Sequence, residues 1–161
     1  MELRGVEELM DLLHACRGAR DTACLGGTPV DLHDHALQTA ALLRRSRPAD
    51  KELQVAGLVH VVGRLLRPGE PTGHAGLAAD AVRSLLGERV SGLVRLHRED
   101  RPHEPAPVGP ARDGPFTEDA LILRQADESA RTAGLDAGVL EDWRTVLTLV
   151  SARHARLGAV D

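Results

Sequence analysis

At 161 residues the chain is long enough for one domain and too short for two of ordinary size. Its 42% hydrophobic content comes mostly from Ala, Leu and Val, with one Phe, one Trp and no Tyr, so the core must be aliphatic and closely packed, which favours helices. A formal net charge of −4, with arginines scattered rather than striped and no aromatic platforms, argues against nucleic-acid binding. No apolar run approaches the roughly 18 residues that cross a bilayer, and residues 1–8 lack an apolar signal core, so a cytoplasmic protein with no membrane partner is expected. Cys16 and Cys24 have no CxxC spacing and read as small buried hydrophobes. Lys51 is the single lysine among many arginines, a bias typical of a GC-rich bacterial genome.

Apolar spacing and caps give six or seven helices. The first covers about residues 6–16, with Val6, Leu9, Leu13 and Cys16 on one face, and stops at Gly18. After the turn-rich Gly26-Gly27-Thr28-Pro29, Asp31 can cap a helix whose inner stripe is Leu32, His35, Ala36, Thr39 and Leu42. Asp50 can cap the third, with Leu53, Ala56, Gly57 and His60 inward, and Gly63 and Pro68-Gly69 end that segment. His74 opens a helix carrying Leu77, Ala78, Ala81 and Leu85, broken at Gly87, and the next presents Val90, Leu93, Val94 and His97. Five prolines between residues 102 and 115 exclude a helix there and read as a surface loop able to serve as a lid. Thr117 caps a helix with Ala120, Leu123, Arg124, Asp127 and Ala130, and a last helix over about residues 139–155 carries Leu140, Trp143, Leu147 and Val150.

His35, His60, His74, His97 and Asp127 each fall in a stripe whose other members are apolar, so all five should point inward. Five buried polar groups from five helices are hard to satisfy in pairs, and a shared metal centre answers the cost, since imidazoles and a carboxylate are natural ligands of Fe, Mn, Zn or Ni. His14, His33, His103 and His154 read as solvated or partly exposed side chains.

The segments Leu32-His33-Asp34-His35, Val59-His60-Val61, Gly73-His74-Ala75-Gly76, Leu93-Val94-Arg95-Leu96-His97 and Leu123-Arg124-Gln125-Ala126-Asp127 resemble the ordered ligand set of HD-domain proteins. The resemblance runs from about residue 26 to 151. It is nearest to the small mixed-valent di-iron oxygenases of that superfamily, which include organophosphonate-cleaving enzymes and are related to myo-inositol oxygenase. It implies an all-α, single compact HD-like bundle over residues 1–161. His35, His60 and Asp127 would hold one iron and act as catalytic residues, and His74 and His97 would hold a second.

The bridging aspartate of that family falls on Val61. Two divalent ions with four imidazoles and one carboxylate would leave about three uncompensated positive charges, which favours one ion over two. Leu25 and Gly27 stand where the oxygenases place a Tyr and a Glu, and Arg64 where they have a His. Arg124, Arg101, Arg64 and Gln38 are the candidate contacts to a small anionic substrate. The expectation is an oxygenase-like enzyme with one or two iron ions or another divalent metal, in a chain for which a homodimer is an allowed assembly. The alternatives are a metal-free accessory protein or repurposed non-redox catalyst on the same fold, and a phosphohydrolase.

Overall fold

Gly5 precedes a segment with acidic Glu7 and Glu8 in its first turn and buried Leu9, Met10 and Leu13 on one face, and this forms α1 (Val6–Ala15). The computed structural model describes residues 3–21, 30–66, 74–97, 117–131 and 137–158. Gly18, at φ 85°, turns the chain into a two-residue antiparallel clasp, β1 (Arg20–Asp21) with β2 (Val30–Asp31), in register Arg20 to Asp31 and Asp21 to Val30. Then come α2 (Leu32–Ser46), α3 (Lys51–Val59), α4 (Val62–Leu66), α5 (His74–Leu86), α6 (Glu88–Leu96) and α7 (Thr117–Ser129). A 3-10 turn at Leu140–Trp143 leads into α8 (Arg144–Gly158). The protein is an all-α bundle.

Two aspartates start the helices that matter most to the site. Asp31 accepts from the His33 amide at 3.2 Å to cap α2, and also from the Gly18 amide at 3.1 Å, which fixes the end of α1 to the start of α2. Asp50 accepts from the Leu53 amide at 3.1 Å to cap α3. The buried Gln54 amide then donates to the Arg47 and Pro48 carbonyls at 2.8 and 3.2 Å, tying down the connection between the two helices.

Packing departs from the sequence reading where single stripes were expected. In α3 every residue from Leu53 to Val59 is buried, because α2, α6, α7 and α8 all pack against it. Gly57 permits the α2 approach, since a Cβ there would come within 2.4 Å of Leu43 Cδ1. The fourth helix, α4, is too short for periodicity to reveal, and it restarts the chain two residues after α3 ends. The last helix is split, its first turn being 3-10, with Trp143 buried and the Arg44 guanidinium 5.3 Å above its ring.

His33 was expected at the surface and is buried. Capping by Asp31 sets the first turn of α2 against the end of α1, where the His33 ring stacks on the exposed His14 ring with centroids 6.2 Å apart. His154 is half-buried, while His103 and Cys24 lie outside the described residues. Cys16 is buried, and that burial, with Asp31 adding to it, pushes its thiol up to about 12. No helix among the described residues is long and apolar enough to cross a membrane.

Candidate metal centre

Four helices each deliver one polar side chain to a common point in the core. His35 lies in the first turn of α2, His60 is the C-cap of α3, His97 is the C-cap of α6, and Asp127 sits in the last turn of α7. All four are buried, between 2% and 6% exposed, in surroundings where an unsatisfied polar group costs several kcal/mol. His35 Nε2 is 2.5 Å and His60 Nε2 3.2 Å from the same oxygen, Asp127 Oδ1, and His97 Nε2 is 3.9 Å from Oδ2. Among the described residues, His35, His60 and Asp127 form the group whose donor atoms all lie within 4.8 Å of one another. His97 is set slightly back from it.

The ring orientations are fixed from behind. His60 Nδ1 is 2.5 Å from the Gly57 carbonyl and His97 Nδ1 is 2.5 Å from the Val94 carbonyl, in both cases three residues back along the helix. A carbonyl only accepts, so both Nδ1 atoms carry a proton, and the Nε2 atoms are the ring nitrogens turned toward Asp127. A ring nitrogen facing a carboxylate oxygen is stabilised when a proton or a metal ion lies between them. Histidines anchored through Nδ1 to a backbone carbonyl are the form in which imidazole binds metal through Nε2. The C-terminal ends of α3 and α6 also meet at the cluster, adding the negative potential of two helix dipoles to the one carboxylate.

His35 differs: its Nδ1 is buried with no hydrogen-bond partner among the described residues. Burial pushes its pKa below the ordinary histidine value, and the hydrogen bond to Asp127 only partly opposes this. The ring is therefore neutral near pH 7.

These residues fit a divalent transition ion. Two imidazoles bonded at about 2.0–2.1 Å to one four-coordinate ion have ring centroids about 5 Å apart. The His35 and His60 centroids are 5.3 Å apart with planes at 67°. Val61, which follows His60, is fully buried among apolar side chains, so Asp127 is the single carboxylate of the group.

The other candidates lie outside this group. His74 is the first residue of α5 and is half-buried; its backbone packs so closely on Gly63 that a Cβ there would come within 1.8 Å of the His74 carbonyl oxygen. Arg124 is 3.6 Å from Glu128, one turn on along α7, and Gln38 on α2 and Arg64 on α4 are half-buried. Arg101, Leu25, Gly27 and the proline-rich stretch fall outside the described residues. A cleft of about 680 Å³ lined by Leu3, Ser84, Leu85, Ser151 and His154 has none of the four cluster residues in its wall.

Sequence reasoning placed the imidazoles inward but gave no sign of the backbone anchors behind His60 and His97. The one available signal is that both residues close a helix, where the carbonyl three residues back is free to accept.

A helical bundle that gathers imidazoles and a carboxylate in its core belongs to the class of helical domains with a possible metal site between their helices. Within that class, the HD domain family model matches residues 32–132, and the chain belongs to the HD domain family. No curated protein matches the chain.

Proposed function

We propose that this protein is a metal-dependent HD-domain enzyme that uses one divalent ion, held by His35, His60 and Asp127, to act on a small anionic metabolite. The observation that carries the reading is the meeting of two buried imidazoles and one carboxylate within 4.8 Å, beside a position, Val61, that offers no second carboxylate. Two imidazoles and a carboxylate are the donor types of mononuclear non-haem iron oxygenases, so iron and an oxygenase-like reaction are the finer form of the proposal. When bound, such an ion supplies activation of dioxygen or of water.

The chain's own residues supply the rest. Asp127 balances charge and is shared by both imidazoles through Oδ1, while the Gly57 carbonyl holds His60 with Nε2 forward. Burial disfavours the charged form of His35 and excludes bulk water from the cluster. The guanidinium groups of Arg124, Arg64 and Arg101, with the Gln38 amide, are the proposed contacts to a carboxylate or phosphonate on the substrate.

Hydrolysis of a phosphoester is the second reading, and the HD family match itself favours it. Protein purified without chelator and loaded with Fe, Mn or Zn is expected to retain about one ion per chain, and Asp127→Asn to retain almost none. Less than a tenth of an equivalent of every metal in the native protein would sink the proposal. Oxygen uptake with organophosphonates by the iron-loaded protein supports the oxygenase form, whereas phosphate release from phosphomonoesters without oxygen uptake supports the hydrolase.

A further inference from the structure

Resting on the one-ion reading above, we infer that His97 supplies a fourth donor to the ion held by His35, His60 and Asp127. The resulting site has three imidazoles and one carboxylate and selects borderline transition ions over Mg²⁺ and Ca²⁺. Three observations converge on this. The His60 and His97 ring centroids are 5.3 Å apart, the same separation as His35 and His60 and close to the roughly 5 Å expected of two imidazoles on one four-coordinate ion. The His97 Nδ1 proton is committed to the Val94 carbonyl, so Nε2 is the ring nitrogen directed at the cluster, 3.9 Å from Asp127 Oδ2. Finally, His60 and His97 are placed alike, each a helix C-cap anchored to the carbonyl three residues back at 2.5 Å, although they sit on different helices.

The separation of 3.9 Å from Asp127 is longer than the roughly 3.3 Å edge of a tetrahedral site with bonds of about 2.0–2.1 Å, and His97 lies outside the group whose donor atoms are all within 4.8 Å, so its ring must move inward to join the ion. Val61 gives the move its reason. With an apolar side chain after His60, the three-residue donor set is one short of four-coordination, and His97 is the buried imidazole next to it. A donor set of three neutral nitrogens and one oxygen suits Zn²⁺, Co²⁺, Fe²⁺ or Ni²⁺, whereas Mg²⁺ and Ca²⁺ demand oxygen.

Titration of metal-free protein with Co²⁺, read by visible absorption and by elemental analysis, tests the inference. The native protein should take up one Co²⁺ per chain with the intense bands of a four-coordinate ion, unaffected by millimolar Mg²⁺ or Ca²⁺. His97→Ala should still bind one Co²⁺, about tenfold or more weakly and with the faint spectrum of a higher-coordinate, water-ligated ion, and free imidazole should restore the bands. Circular dichroism on His97→Ala and on the milder His97→Gln separates loss of a ligand from loss of fold. An unchanged spectrum and affinity in both variants overturns the inference, as does a native stoichiometry of two with only the second ion lost in His97→Ala. Absence of Co²⁺ binding in the native protein is a different result, since it removes the one-ion reading itself and this inference with it.

Discussion

Val61 is the residue on which the chemistry turns. Where a carboxylate would follow His60, a side chain with no exposed surface packs into the aliphatic core. One shared carboxylate and two helix C-termini supply the negative potential at the cluster, and on the one-ion reading proposed above they would face a single cation. Replacing Val61 by Asp buries a second carboxyl in the aliphatic core in the absence of metal. Urea denaturation of the metal-free variant should therefore show a loss of about 3 kcal/mol or more. Added Zn²⁺ should recover much of that loss, because the ion then compensates the new charge. Val61→Asn, of the same shape without the charge, should lose stability that Zn²⁺ does not return. Equal rescue of both variants would show that position 61 does not face the ion.

At the scale of elements, the site depends on how the starts and ends of helices are fixed. Arg89 on α6 donates to both Asp50 oxygens at 2.7 Å, to Asp119 on α7 at 2.9 Å and to Glu52 at 3.5 Å, joining the start of α3 to two other helices that carry site residues. These hydrogen bonds hold the Asp50 carboxyl below its usual range of 3.8, so the unfolded chain takes up the proton first. The stabilisation is thus present above about pH 4 and lost as pH falls below it. Arg89→Met should cost about 1–2 kcal/mol at pH 7, a figure reduced because Arg89 and Asp50 are each about a quarter exposed. The gap between native and variant, followed by denaturant melts from pH 7 to pH 3, should narrow toward zero at the acid end; a constant gap would place the effect in packing. None of this network is visible in the sequence, because Arg89 is 39 and 30 residues from Asp50 and Asp119 and charge spacing reports only neighbours on one helix. What could be read was local. Asp31 and Asp50 announce their caps, and His35 and Asp127 fall on apolar stripes of the right period. Burial of the whole of α3, the short α4 and the stacking of His33 on His14 are consequences of which helices meet, which no single-helix pattern encodes.

Across the whole molecule, the four residues of the cluster come from helices spread over most of the described chain, with His35 and Asp127 separated by 92 residues. A ligand that binds all of them binds only the folded chain, because the unfolded chain cannot hold those side chains together. Metal affinity is therefore folding stability, and it should act on the bundle as one unit. At a free concentration of a hundred times its dissociation constant, an ion adds about 2.7 kcal/mol. For a domain of this length each kcal/mol moves the midpoint by about 2–4 °C, so calorimetry should show a single transition displaced upward by about 5–10 °C. Chelator should reverse the shift. Asp127→Asn should abolish it, since removing the shared carboxylate leaves an ion facing neutral donors in a buried site. A transition that splits in two on loading would mean that the ion grips part of the bundle only, so that α2, α3, α6 and α7 do not meet at one point.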